Sequence, residues 1–249
     1  MNLSLFQPDI VWGNPQANQE TLARMMRETA PSDLYVLPEM FSTGFAVEPA
    51  AIAETDESTL AWMKQMAAEL KGAVCGSVAT EEDGSYYNRF YFVKPNGEVA
   101  TYDKRHLFTY GNEHRHYQRG NQRTVVEFRG CRFLLQVCYD LRFPVFSRNN
   151  EKVPYDCAIY VASWPTSRLS VWDTLLHARA IENQCYVVGV NRIGADPACQ
   201  YSGGTMLVNA YGHTVAACPL SEPSVITIEL DLQKLRDFRR KFPVLKDAD

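Results

Sequence analysis

Cys138 closes the apolar run Phe133 to Val137 and is followed by Tyr139-Asp140-Leu141-Arg142-Phe143-Pro144. This pattern reads as a buried strand running into a sharp turn, with Pro144 suited to the first turn of a helix. Such a strand-to-helix elbow lifts a side chain off the carboxyl end of the strand beside free backbone N–H groups, the setting of activated nucleophiles. The commoner fate of a cysteine in apolar sequence is a core position. A free thiol of pKa about 8.5 is only about 3% thiolate at pH 7, so a nucleophilic Cys138 requires a cation or a base nearby.

Lys104 and Glu39 are placed to supply them. Lys104 closes the strand Val99 to Asp103 and precedes His106-Leu107-Phe108, an apolar setting that would hold its ammonium near the core rather than in solvent. Glu39 follows Tyr35-Val36-Leu37-Pro38, so a carboxylate sits at the end of a short buried strand, where charge is costly. Burial raises a carboxyl pKa and a neighbouring ammonium lowers it, and together they make a proton-exchanging group. Glu113, in Asn112-Glu113-His114-Arg115-His116, reads by itself as a polar loop residue. His114 and His116 have a His-x-His spacing that could ligate a metal, although no third ligand is marked nearby. A cysteine–histidine pair using His177 or His106 is also compatible with the spacing.

The elements that must position these residues alternate. Leu3 to Phe6 reads as a strand and Pro15 to Thr29 as a helix, with Asn14 as N-cap and Pro15 at its first position. Tyr35 to Leu37 is a short strand. A helix after Ser58 carries Leu60, Met63, Met66, Ala67 and Leu70 at helical spacing, and the strand Ala73 to Val78 follows. Asn96-Gly97 then joins two strands as a hairpin, and Arg129-Gly130 separates Val125–Phe128 from Phe133–Val137. Alternation returns with a helix from Phe143, the strand Cys157–Val161, a helix near Ser170 to Glu182 and the strand Tyr186–Val190. A strand Val225–Leu230 precedes the charged segment Asp231 to Lys241. The expected class is α/β, with helices outside and sheets inside. Periodicity leaves one sheet or two open. No internal repeat or linker marks a boundary, so one domain over residues 1–249 is expected.

Composition excludes several functions. No run of eighteen apolar residues and no basic-then-apolar leader is present, so a membrane span and a signal peptide are not expected, and the cytoplasm is. Seven cysteines, an odd number without a CxxC pair, argue for a reducing compartment rather than a disulfide scaffold or zinc finger. A net charge of −4 with dispersed Lys and Arg gives no electrostatic footprint for nucleic acid. A small molecule is the expected partner.

Leu-Pro-Glu-Met-Phe around Glu39, Tyr-Asp-Lys-Arg-His-Leu-Phe around Lys104 and Val-Cys-Tyr-Asp-Leu-Arg-Phe-Pro around Cys138, in this order, resemble the nitrilase or carbon–nitrogen hydrolase superfamily. The likeness continues through His177-Ala178-Arg179-Ala180-Ile181-Glu182-Asn183 and suggests the omega-amidase branch. It implies a four-layer α-β-β-α sandwich with two mixed sheets, assembled as a homodimer or higher homo-oligomer, and needing neither metal nor cofactor. It also implies a Glu39-Lys104-Cys138 triad with Glu113 as a second glutamate, Glu127 being another carboxylate in the same stretch. In that scheme the backbone N–H of Tyr139 joins Lys104 at the oxyanion. Omega-amidases hydrolyse the terminal amide of 2-oxo dicarboxylic monoamides such as 2-oxoglutaramate and 2-oxosuccinamate, which calls for a cation facing the distal carboxylate. Arg142 is the first choice. The segment Ser163 to Arg168 should reach the same rim, with Trp164 as a wall and Thr166 or Arg168 assisting, and Phe45 as a further wall. This loop departs from the Phe-Pro version found in many omega-amidases. The competing readings are another amidase, nitrile or N-carbamoyl hydrolase of the superfamily, a metal-dependent amidohydrolase, and a non-catalytic small-molecule binder.

Overall fold

The computed structural model describes residues 1–150 and 152–247. Its first elements follow from local sequence. β1 (Asn2–Gln7) leads into α1 (Pro15–Glu28), where the Asn14 side chain accepts the Ala17 N–H and Pro15 stands at the start. Both features deal with N–H groups that a helix start leaves without partners. β2 (Leu34–Val36) is followed by α2 (Ser58–Leu70), which buries Leu60, Met63, Met66 and Ala67 along one face. β3 (Ala73–Glu82) and β4 (Ser85–Val93) meet at Asp83-Gly84, both at positive φ (51° and 74°), as a two-residue hairpin turn requires. This hairpin carries β3 four residues past the expected end at Val78. Its tip is polar: Glu81 and Glu82 pair with Tyr86 and Ser85 outside the core, and the buried Thr80 pairs with Tyr87. β5 (Val99–Asp103) follows the Asn96-Gly97 turn.

The second half repeats the scheme. β6 (Val125–Phe128) and β7 (Cys131–Val137) flank Arg129-Gly130, again with positive φ at both positions. The helix expected from Phe143 is a single turn, α3 (Pro144–Ser147), after a 3-10 turn over Cys138–Arg142. β8 (Cys157–Ala162), α4 (Leu169–Asn183) and β9 (Tyr186–Asn191) follow. β10 (Ile193–Ala195), β11 (Gln200–Ser202), β12 (Met206–Val208) and β13 (Thr214–Ala217) were not expected, since three or four residues are too few to display alternation. β14 (Ser224–Glu229) and α5 (Leu232–Lys241) complete the order.

Two mixed six-stranded sheets result, ordered β14-β1-β2-β3-β4-β5 and β13-β12-β9-β8-β7-β6, with β10 and β11 as a separate ribbon. In each, three central strands run parallel, with one antiparallel neighbour beyond the first and two beyond the third. The two halves thus share a topology that the sequence does not display as a repeat. Leu3, Leu5, Val36 and Phe92 of the first sheet share a core with Phe133, Leu135, Val137 and Val190 of the second. Residues of opposite parity face outward: Phe6, Tyr35 and Val74 pack with α1 and α2, and Tyr160 and Val187 pack with α4. The layers are α-β-β-α, as the resemblance implied.

Strand direction gathers the candidate site positions. β4 is antiparallel to both β3 and β5, so β5 runs with β2 and β3, and their carboxyl ends share one edge. At that edge the chain leaves β2 toward Glu39 and β5 into Lys104. In the facing sheet the parallel strands β7 and β8 release Cys138 and Ser163.

Candidate active site

Each side chain is set by a local device. After β2, Leu37 N–H still donates to Cys75 O (2.7 Å), then Met40 at φ 44° turns the chain sharply, leaving Glu39 fully buried. Lys104 N–H donates to Asn88 O (3.0 Å), so the lysine is tied to β4 as it leaves β5. Glu113 starts a 3-10 turn in the loop beyond Lys104, and the Phe108 N–H donates to its Oε2 (2.6 Å), folding the loop onto itself. Cys138 takes φ 46°, the left-handed region that non-glycine residues rarely occupy. The Asp140 carboxylate holds this elbow by accepting the N–H groups of Val137 (3.0 Å) and His106 (2.9 Å) and the Tyr102 hydroxyl (2.8 Å). An over-determined turn of this kind is how strained backbone is maintained at functional positions.

These devices converge on one ammonium. Lys104 Nζ lies 3.0 Å from Glu39 Oε1 and 3.0 Å from each oxygen of Glu113. The Ser163 N–H donates to Glu39 Oε2 (2.8 Å), bridging the two sheets at their shared edge. Asn88 Nδ2 donates to Glu39 Oε1 (2.7 Å) and, at longer range, to Glu113 Oε1 (3.4 Å). Burial by itself would lower the Lys104 pKa, but the charges of Glu113 and Glu39 outweigh it and hold the ammonium well above an ordinary lysine. Burial pushes the Glu113 carboxyl up against the opposing pull of Lys104. Burial, with the Glu39 charge adding to it and Lys104 opposing it, also raises the Cys138 thiol well above its usual range. The resting sulfur is therefore a thiol, and it needs a proton acceptor at the moment of attack.

Glu39, Lys104 and Cys138 line a cavity of about 460 Å³ including its open mouth. Of the residues expected around it, Phe45, Tyr139, Arg142, Trp164 and Arg168 all line it. Each cation there faces an aromatic ring: Lys104 Nζ is 5.4 Å from the Phe45 centroid, the Arg142 guanidinium 5.4 Å from Trp164, and that of Arg168 5.3 Å from Phe108. Neither arginine pairs with a carboxylate among the described residues. Thr166 is a correction. It is exposed and does not line the cavity, because Pro165 begins a 3-10 turn in which positions three apart superpose. Pro165 and Arg168 therefore face inward and Thr166 faces solvent.

The carbon–nitrogen hydrolase family model matches residues 2–240. The chain belongs to the carbon–nitrogen hydrolase family. It is 44% identical over 250 residues to the omega-amidase YafV of Escherichia coli strain K12, covering all of this chain and 97% of that one. It is 32% identical to the 2-oxoglutaramate amidase of Bacillus subtilis, over 98% and 96% of the two chains. Among solved structures it matches XC1258 of Xanthomonas campestris, a CN-hydrolase superfamily protein with an arsenic adduct in its active site, at TM-score 0.96 and 38% identity, covering 100% and 97% of the two chains. Like these relatives it is a carbon–nitrogen hydrolase, an enzyme that acts on amide bonds.

Geometry also sorts the competing residues of this hydrolase. Glu127 is exposed on β6, whereas Glu113 is fully buried against Lys104. His106 contacts Asp140 Oδ1 (2.7 Å) and stacks on Phe143, and His177 contacts Asp173 O and Thr214; neither lines the Cys138 cavity. His114 and His116 are exposed, and among the described residues no three His, Cys, Asp or Glu side chains cluster as a metal site would need. Sequence reasoning missed Asn88, Phe108, Tyr201 and Cys199. Asn88 lies between Tyr87 and Arg89 in the polar half of β4, where nothing in the sequence marks it as buried, and Tyr201 and Cys199 belong to or adjoin a ribbon too short to show in periodicity. No helix among the described residues is long and apolar enough to cross a membrane.

Proposed function

We propose that this carbon–nitrogen hydrolase is an omega-amidase that releases ammonia from the terminal amide of 2-oxo dicarboxylic monoamides, 2-oxoglutaramate and 2-oxosuccinamate. The observation that carries the reading is the cavity itself. A thiol, a buried ammonium and a carboxylate stand at its inner end, and two guanidiniums without carboxylate partners among the described residues line the same space. That arrangement suits a small substrate with an amide at one end and an anion at the other. The full-length similarity to an omega-amidase and to a 2-oxoglutaramate amidase supports the same substrate class.

In the proposed mechanism Glu39 takes the thiol proton as Cys138 Sγ bonds to the amide carbon. Lys104 and the Tyr139 N–H, in the first turn of the 3-10 segment where N–H groups have no intrahelical acceptor, hold the oxyanion. Glu39 returns the proton to nitrogen, the C–N bond breaks and ammonia leaves a thioester. The same carboxylate then deprotonates water, which displaces the Cys138 thiolate. Glu113 anchors Lys104 through both oxygens. Arg142 and Arg168 bind the distal carboxylate between Trp164, Phe45 and Tyr139.

The seven free cysteines suit a reducing compartment, and we assign the enzyme to the cytoplasm. Ile181, Tyr211 and Phe242 are more than half exposed, with Tyr211 and Phe242 each against Phe238, an apolar surface that supports a homodimer. Sedimentation checks the assembly. The activity is tested by ammonia release from 2-oxoglutaramate, 2-oxosuccinamate, glutamine, an N-carbamoyl amino acid and a nitrile. Preference for the 2-oxo amides, abolished in a folded Cys138→Ala variant, is expected; equal turnover of all five, or an active variant, would sink the reading.

A further inference from the structure

Asn88 of β4 takes no part in those steps, yet it touches both carboxylates. Its side-chain nitrogen donates to Glu39 Oε1 (2.7 Å) and reaches Glu113 Oε1 (3.4 Å), while its backbone carbonyl accepts the Lys104 N–H (3.0 Å). The residue is fully buried, and its side-chain oxygen has no hydrogen-bond partner among the described residues. Chemistry fixes the orientation, because ionised carboxylates only accept and the amide nitrogen must face them. A buried acceptor without a donor is a cost to the fold. It is retained at the position that bridges the two carboxylates.

Counting acceptor sites shows what the bridge does. An ionised carboxylate offers about four lone-pair sites. Glu113 fills its set, accepting from Lys104 at both oxygens, from Asn88 and from the Phe108 N–H. Glu39 accepts from Lys104, Asn88 and the Ser163 N–H, which leaves one site free. Glu39 also lines the cavity with Cys138, and Glu113 does not.

We propose that Asn88 is a positioning residue that fills one acceptor site on each glutamate, closing the last site of Glu113 and leaving Glu39 a single one. It saturates Glu113, and it holds Glu39 so that the remaining lone pair serves the Cys138 thiol and the leaving amine. Without the amide, Glu113 has one vacant site and Glu39 has two, so Glu113 can also take the proton and the Glu39 lone pair is no longer confined to the Cys138 side. This inference rests on the thiol mechanism proposed above.

The test compares Asn88→Ala and the near-isosteric Asn88→Asp with the unmodified enzyme on 2-oxoglutaramate between about pH 5 and 9, with Cys138→Ala as control. In Asn88→Ala, kcat is expected to fall about 10- to 100-fold with KM within about threefold. The acid limb of kcat/KM should move up by about half a pH unit or more, because a carboxylate deprived of a donor holds its proton more tightly. Asn88→Asp should be the weaker enzyme near neutrality and recover as the pH falls, since the introduced carboxyl group donates when protonated and cannot when ionised. An unmoved pH profile in both variants, an effect confined to KM, or failure of both to fold in a thermal melt would overturn the assignment. Turnover by Cys138→Ala would instead remove the thiol mechanism beneath it, a result distinguishable from an unmoved Asn88 profile.

Discussion

Lys104 holds Glu113 through both carboxylate oxygens, each 3.0 Å from the ammonium nitrogen, in a setting where both side chains are sealed from solvent. Glu39 completes the cluster, so two carboxylates share one cation. Neutralising one carboxylate relieves like-charge repulsion and leaves Lys104 paired with the other. Glu113→Gln keeps that pairing but turns an amide nitrogen toward donors the carboxylate accepted, so it is expected to lose about 1–3 kcal/mol of stability for each stranded donor, while kcat falls about 10²- to 10³-fold, the scale of losing one electrostatic contributor to a transition state. Thermal melting and steady-state ammonia release check the two halves separately.

Lys104→Met has the opposite balance. It leaves two buried carboxylates without their cation, and the expected loss is about 3–5 kcal/mol of stability in addition to loss of turnover. A denaturation midpoint unchanged from the unmodified protein would contradict the burial argument.

Stability should also fall at alkaline pH. Burial raises the thiols of Cys75, Cys131, Cys157, Cys185 and Cys218, and burial with the Glu39 charge raises that of Cys138. A group that keeps its proton in the fold and releases it on unfolding makes the native state the better proton binder, so stability declines as pH rises. The decline begins near the ordinary thiol pKa of about 8.5 and approaches about 1.4 kcal/mol per pH unit for each thiol. The raised Lys104 adds to it above its ordinary value of about 10.4, where the contribution held at lower pH is lost. Urea midpoints at neutral and alkaline pH measure this slope, and Cys138→Ala should make it shallower.

Arg142 and Arg168 line the cavity over Trp164 and Phe108, 5.4 and 5.3 Å from the ring centroids. A charge-assisted hydrogen bond is worth about 1.5–3 kcal/mol. Replacing either arginine by methionine should accordingly raise KM for 2-oxoglutaramate about tenfold or more and change kcat much less. A neutral amide of similar size provides the control, since its KM should hardly move. Equal losses on both substrates would point to disturbed packing rather than carboxylate binding.

Asp140 lies below the elbow and accepts from Val137, His106 and Tyr102. Asp140→Ala strands these donors in a buried site, at about 1–3 kcal/mol for each one left unsatisfied. The left-handed conformation of Cys138 depends on that turn, so activity should fall further than the folded fraction does. Activity normalised to folded protein, measured by near-ultraviolet circular dichroism, separates the two effects.

The local devices were legible in the sequence because each acts over a few residues. Asn14 and Pro15 start α1, Asn96-Gly97 turns a hairpin, and the apolar run into Cys138 followed by Pro144 marks the elbow. Glu39, Lys104 and Cys138 were legible as chemistry at strand ends, and the family resemblance joined them into one site. Short elements were not legible. β10 to β13 lack the length for a period, and the Asp83-Gly84 turn went unseen because its flanking strands are polar at the tip. Only the tertiary structure decided which loop residues are buried. Glu113 reads as a solvent-exposed loop residue until the loop folds back through Phe108, and Thr166 reads as a pocket residue until a 3-10 turn directs it outward. The physical reason is common to both. Sequence spacing fixes the rotation and polarity of an element, whereas the exposure of a side chain and its distance to a partner 65 residues away, as between Glu39 and Lys104, depend on how two sheets meet at one edge.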